Sequence, residues 1–278
     1  MHYTLTHYDV PYVDPAAWRL TVGGLLQRPL SLGTADWSGT SLRALLIDAG
    51  VLSGAQEVLF TGHDRGIEGD VEQDYQRSLP LDEALRDDVL LAWSMNDAPL
   101  EPQHGAPLRL VVPDWYGMTN IKWLRSIEVL GGPFTGYQNV RAYRYSQNRD
   151  EAGVPVTLMR VRSLMIPPGI PEFLTRTRLV RRGHVELRGR AWSGRSPIVR
   201  VEVSADGGAS WNDAELEAQS NANAWQRWQF EWDATQPGTY ELCCRATDAA
   251  GERQPTEAYW TARGMGNNAV HHVAVIVA

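Results

Sequence analysis

At 278 residues, with 43% apolar and 21% charged side chains, the chain has an ordinary globular composition and room for two cores, so disorder is not its expected state. A net charge of −7 argues against nucleic acid as a partner. The longest apolar runs, VLLAW and VAVIVA, are too short to cross a bilayer, so no membrane span is expected. The opening MHYTLTHYDVPYVD shows no export signal, which makes the cytoplasm the expected compartment.

The segment WRLTVGGLLQRPLSL predicts a strand, a Gly-Gly turn and a second strand. A helix capped by Thr40 follows, because Leu42, Leu45, Leu46 and Ala49 recur on one face and Gly50 stops it. EVLFTG predicts a strand leading into a polar loop, HDRGIEGDVEQDYQRS. PLDEALRD reads as a short helix and VLLAWSM as a buried strand, and Asn96-Asp97 turns the chain. LRLVVP and IKWLRSIEVL are two further strands, flanking the loop DWYGMTN. From Val154 the character changes. MRVRSLMIPPGIPEFL reads as a Pro-rich connector, and then HVELRGRAW, IVRVEVS, WQRWQFEW, TYELCCRAT and HHVAVIVA alternate at regular spacing. In VRVEV the residues Val199, Val201 and Val203 share one face, while Arg200 and Glu202 share the other. The expected fold class is α+β and mostly β. A mixed α/β domain occupies residues 1–153, and an immunoglobulin-like β-sandwich without a Cys…Trp…Cys pattern occupies residues 154–278.

Cys243 and Cys244 are the only cysteines. As strand neighbours they point to opposite faces, so they neither pair nor share a metal. Cys244 is expected to be buried beside Leu242, with Cys243 facing away. His271 and His272 should likewise divide between the inward and outward faces. Residues 160–200 carry 10 Arg against Glu172 and Glu186. Solvated strand faces are the plainer reading of that run, and anion attraction the sharper one. Eleven Trp allow a surface-recognition sandwich, but Trp192, Trp211 and Trp232 at strand positions read more simply as core. No P-loop, G-x-G-x-x-G, G-x-S-x-G or H-E-x-x-H motif is present.

The segment HGAPLRLVVPDWYGMTNIKWL stands apart. Arg109 lies between two leucines, and Lys122, the only lysine of the chain, lies between Ile121 and Trp123. Buried cations at these positions need anions, from protein carboxylates or from a ligand phosphate, and His104 could add a donor. Chemistry alone leaves these two readings level.

The stretch MNDAPLEPQHGAPLRLVVPDWYGMTNIKWLRSIEVL resembles the core of the sulfite oxidase family of molybdopterin-dependent oxidoreductases, with its M-N-x-x-x-L, H-G-x-P-x-R and S-x-K-W pattern. YTLTHYDVPYVDPAAWRLTVGG is similar to the family's N-terminal pterin-contacting segment, FTGHDRG to its F-x-G-x-D loop, and VEVSADGGASW to its dimerisation sandwich. The resemblance implies molybdopterin (the molybdenum cofactor) contacted by Tyr3, Thr4, Thr6, His7, Asp64, His104, Arg109, Asn120, Ile121 and Lys122. Tyr143 is similar in position to the family's active-site tyrosine; a packed aromatic is the alternative reading. The implied activity is oxygen-atom transfer at a molybdenum–oxo centre. It takes a small oxyanion or other oxo-transfer substrate, passes electrons to an external acceptor, and is carried by a homodimer.

Two departures qualify that implication. Family members carry several dozen residues after the strand that matches PLSL, including a C-A-G-N motif whose thiolate binds molybdenum. Here Leu32 runs directly into Gly33, and no metal ligand from the protein is expected. Leu5 stands where sulfite-oxidising members carry an arginine, which points away from sulfite itself. The alternative is a non-catalytic relative acting as a cofactor-binding or assembly module.

Overall fold

In the computed structural model, the described residues are 10–11, 13–14, 18, 27–32 (backbone only), 35–148, 150–219, 221 and 223–278. The chain divides into two units, Met1–Thr157 and Leu158–Ala278.

In the first unit, strand β1 (Gln27–Leu32) pairs antiparallel with β2 (Ala35–Ser41), with Leu32 opposite Ala35. β2 runs one residue further than the helical pattern implies. Thr40 therefore stays in the ladder, and Ser41 caps helix α1 (Leu42–Ala49), its hydroxyl accepting the Ala44 N–H at 3.4 Å. Gly50 ends the helix in the left-handed region, as expected.

The polar segment expected as a loop is instead a hairpin. β3 (Glu57–Glu68) and β4 (Val71–Pro80) turn at Gly69-Asp70, where both residues have positive φ. Its charges pair across the strands, with Arg65 bonding Glu72 at 2.8 Å and Asp74 at 3.1 Å. Polar composition conceals such a strand, because both faces of the hairpin's outer end meet water. The ladder slips between Thr61 and Arg65, and that irregularity lies at Gly62-His63-Asp64.

Helix α2 (Leu81–Ala84) precedes β5 (Leu90–Met95), and Asn96 and Asp97, both at positive φ, turn the chain into β6 (Ala98–Pro99). β7 (Arg109–Val111) pairs with β5, completing a five-stranded antiparallel sheet. β8 (Leu124–Leu130) joins β3 in a second sheet of order β4-β3-β8. Phe60, Leu79, Leu90, Leu110, Ile121 and Trp123 are among the buried side chains of this unit.

The second unit holds the expected strands in two sheets. The four-stranded sheet runs 162–166, 183–192, 226–234, 215–216, and the six-stranded sheet runs 170–171, 178–180, 272–277, 238–248, 198–204, 212–213. Trp228, Leu187, Val201, Val203, Leu242, Cys244 and Val275 fill a common core. Several local expectations need correction. The Pro-rich stretch is no mere connector: Arg162–Ile166 is a strand paired with Gly183–Trp192, and Val161 and Met165 are buried in the core. Val199 is 54% exposed, because a bulge between Ile198 and Arg200 removes it from the face of Val201 and Val203. Cys243 is as fully buried as Cys244, and His271 and His272 are both exposed. Of the three tryptophans, Trp232 is buried, and Trp192 and Trp211 are partly covered.

Glu202 is also buried, at 4% exposure, on the face opposite the core valines. The Arg245 guanidinium opposite it donates twice, at 2.8 and 2.9 Å, and stacks 4.0 Å from the Trp211 ring centroid. This pair holds the Glu202 carboxyl below the usual glutamate range. Glu202→Gln leaves Arg245 without its counter-charge and is expected to destabilise the unit by about 3 kcal/mol, read as a lower urea midpoint. Wild-type stability should fall as pH drops through the depressed Glu202 pKa, and the variant should lack that loss.

Candidate functional site

The site begins with Arg109 on β7. Its neighbours Leu110 and Val111 are core residues, and Arg109 itself is only 9% exposed. Backbone bonds from Leu110 N to Ile121 O (2.8 Å) and from Leu124 N to Leu108 O (2.9 Å) lay the segment 121–124 beside 108–110. The guanidinium donates from Nη1 to His104 O at 2.9 Å and from Nη2 to Asn120 O at 3.3 Å, and lies 4.7 Å from the Trp37 ring centroid. Its Nε is buried without a hydrogen-bond partner. Burial lowers its pKa to about 10.

Lys122 is partly buried, donates to Gln103 O at 3.3 Å and lies 4.5 Å from the Trp123 ring centroid. Burial, reinforced by the charge of Arg109 and opposed by that of Asp64, brings its ammonium down to about 8. Asp64 lies within the ladder irregularity of β3 and is 5% exposed, and its Oδ1 has no hydrogen-bond partner. Burial raises its carboxyl to about 6, against the opposing pull of its own backbone N–H and of Lys122.

Two glycines permit this approach. A Cβ on Gly62 would lie 2.2 Å from Asp64 Oδ1, and one on Gly105, at φ 100°, would lie 2.9 Å from Lys122 Cβ. Trp123 takes a φ of 49°, an uncommon value for a bulky residue. It is held there by its indole N–H on Pro102 O (2.7 Å) and by His63 N on its own carbonyl (2.8 Å).

The remaining candidates fall around this centre. His104 lends its carbonyl to Arg109, and its ring Nε2 lies 3.9 Å from Glu101. Asn120 spends its side-chain oxygen on Val112 N–H at 2.6 Å, and Ile121 is fully buried. Tyr143 belongs to an adjoining cluster. Its hydroxyl lies 3.4 Å from that of Tyr75, which donates to Met118 O at 2.8 Å. Burial first, and then the neighbouring Tyr143, push the Tyr75 pKa well up. Tyr3, Thr4, Thr6 and His7, like Leu5, lie outside the described residues. Sequence reasoning missed Trp37, Gly62, Gly105, Tyr75 and Arg77. The glycines sit inside the motifs FTGHD and HGAP, whereas nothing local marks Tyr75 or Arg77.

The arrangement offers two cations, an acceptor oxygen and an unused Nε–H, all inside a largely buried cluster. That donor set fits the phosphate and the pterin N–H and oxygen groups of molybdopterin. It does not extend to the metal. Among the described residues no group of three or more His, Cys, Asp or Glu could hold a metal ion. Both cysteines lie buried in the second unit, with Cys244 pushed up to about 12 by burial.

Residues 30–138 match the family Oxidoreductase molybdopterin binding domain, and residues 155–278 match the Mo-co oxidoreductase dimerisation domain. The chain belongs to the sulfite oxidase family. It is 32% identical to mitochondrial sulfite oxidase of Mus musculus over 277 residues, covering 92% of this chain and 49% of that one. It is 29% identical to sulfite oxidase of Gallus gallus over 335 residues, covering 98% and 71%. Among solved structures it is similar to the sulfane dehydrogenase SoxCD of Paracoccus pantotrophus, with a TM-score of 0.73 and 28% identity, covering 86% and 59%. The chain thus spans about half the length of several curated sulfite oxidases that it matches. The match to nitrate reductase of Hordeum vulgare extends over 347 positions, although this chain has 278 residues, so at least 69 of them (347 − 278) face no residue here. That agrees with a missing internal segment. In this member of the sulfite oxidase family, β1 passes to β2 with only residues 33–34 between them.

A carboxyl whose pKa rises from 3.8 to about 6 on folding leaves the folded state about 3 kcal/mol less favoured above pH 6 than below pH 4. The sign follows from proton uptake, since between those pH values the folded state holds the proton more tightly. Asp64→Asn should therefore match wild type near pH 4 and gain stability over it up to pH 7, measured by urea unfolding of cofactor-free protein.

Proposed function

We propose that the chain is a molybdopterin-dependent oxidoreductase that takes a small oxyanion or other oxo-transfer substrate and passes its electrons to an external acceptor. One observation carries this reading: Asp64, Arg109 and Lys122 are brought together with Asp64 Oδ1 and Arg109 Nε buried and unpartnered. Leaving such groups unsatisfied costs about 1–3 kcal/mol each, a cost that a ligand with complementary groups removes. Arg109 and Lys122 would hold the cofactor's phosphate and ring oxygens, and Asp64 a pterin N–H. When bound, the cofactor supplies two-electron oxygen-atom transfer.

A second reading has its own support. The chain offers no thiolate near these residues, and a soft sulfur ligand is what tunes such a metal. A module that binds the pterin without turnover is the outcome this favours. Purified protein separates the two. Molybdenum and fluorescent oxidised pterin near one per chain, with a visible absorbance change on adding an oxyanion, support the enzyme. Pterin without that change supports the module, and absence of both overturns the cofactor reading. Arg109→Met should lower bound pterin at least tenfold while leaving the circular dichroism spectrum unchanged.

We further infer that the protein acts as a homodimer through its sandwich unit. Strand 170–171 is the edge of the six-stranded sheet, and Ile170, Phe173 and Leu174, on and just after it, are 72%, 78% and 83% exposed. Apolar groups gathered at a sheet edge favour pairing with another chain. The double change Phe173→Glu and Leu174→Glu should halve the mass measured by light scattering.

A further inference from the structure

Arg77 on β4 is 3% exposed, and no sequence pattern singled it out. Both hydrogen bonds that the structure gives its guanidinium go to main-chain carbonyls, Nη1 to Gln138 O at 2.6 Å and Nη2 to Val156 O at 3.4 Å. Those carbonyls belong to the two residues that hold the Tyr143 backbone. Gln138 O also accepts the Tyr143 N–H at 3.3 Å, and Val156 N–H donates to Tyr143 O at 3.0 Å. The same guanidinium carbon lies 5.3 Å from the Tyr143 ring centroid. Asn139, one residue into the same turn, donates from Nδ2 to the hydroxyl of Ser78, the neighbour of Arg77, at 2.6 Å.

The segment held in this way is a π-helical turn, Gln138–Ala142, with Tyr143 as its C-terminal cap. Such turns are rare and are found frequently at functional sites. A buried guanidinium is a costly means of satisfying two carbonyls, since burial lowers its pKa and disfavours its charge. A single neutral donor could serve either carbonyl. What only a planar fork can do is reach both at once and lie beside the ring between them.

We propose that Arg77 is the positioning residue of Tyr143, fixing the turn and the ring so that the Tyr143 hydroxyl stays opposite that of Tyr75. The importance of this for turnover rests on Tyr143 belonging to the reaction centre, as the family resemblance implies, whereas the positioning itself does not.

Two measurements test it, both made on cofactor-free protein, so that failure to bind pterin would refute the function without touching the result here. In the wild type, nitrogen-15 spectra of the arginine side chains should show the Arg77 Nη protons as separate, slowly exchanging signals, because both ends of the fork are held. Averaged signals from a freely rotating guanidinium would overturn the proposal. In the second, 3-fluorotyrosine is placed at position 143 and Arg77→Lys is introduced, which keeps the charge but reaches only one carbonyl. The single fluorine line of the parent protein should split, or at least double in width, while unfolding stays cooperative. An unchanged line in a folded Arg77→Lys protein would overturn the proposal. Should that variant not fold, the wild-type arginine spectrum decides alone.

Discussion

Burying a full positive charge between leucines constrains everything around Arg109. A guanidinium deprived of water must be surrounded by oxygen atoms and polarisable faces, and here the carbonyls of His104 and Asn120 and the ring of Trp37 provide them. Two of those partners, the carbonyls, need the chain to depart from regular structure. The turn ending at Gly105 brings the His104 carbonyl in, and the unusual φ of Trp123 lets the 120–124 segment return alongside β7. The irregularity in β3 lies where Asp64 is buried within electrostatic reach of Lys122. The local strain and the glycine positions thus accompany three desolvated charges, Arg109, Lys122 and Asp64.

The proposed centre would combine two kinds of chemistry, and the described residues of this chain offer groups for one of them. On the proposed reading, recognition of a phosphorylated pterin is a matter of hard charges and hydrogen bonds, which Arg109, Lys122 and Asp64 would supply. Control of the metal is a matter of soft sulfur ligation, and both sulfhydryls of this chain are buried in the other unit, where desolvation keeps them protonated. Binding and redox tuning are separable physical tasks, so a chain can offer groups for one without the other.

The sandwich unit meets an opposite electrostatic problem. Glu202 is a buried anion, and three arginines, Arg245, Arg200 and Arg253, converge on it. Part of the arginine-rich character of this half is therefore structural, a means of stabilising one carboxylate, with Arg245 itself stacked on Trp211. Other arginines, such as Arg176, Arg181 and Arg188, are solvated surface.

Where burial pattern and turn chemistry act locally, the sequence alone determined the outcome. The alternating strands of the sandwich, the Gly50 helix stop, the Asn96-Asp97 turn and the conspicuous cations Arg109 and Lys122 were all readable, because each depends on residues within a few positions of one another. Tertiary structure decided the rest. The β3–β4 hairpin was hidden by its polar composition, the strand at Arg162–Ile166 by the prolines that follow it, and the exposure of Val199 by a bulge. Burial of Glu202 depends on Arg245, 43 residues away. The grip of Arg77 on Gln138 and Val156 spans 61 and 79 residues. No local pattern encodes contacts of that range, since they exist only once distant strands have paired and distant turns have been packed against them.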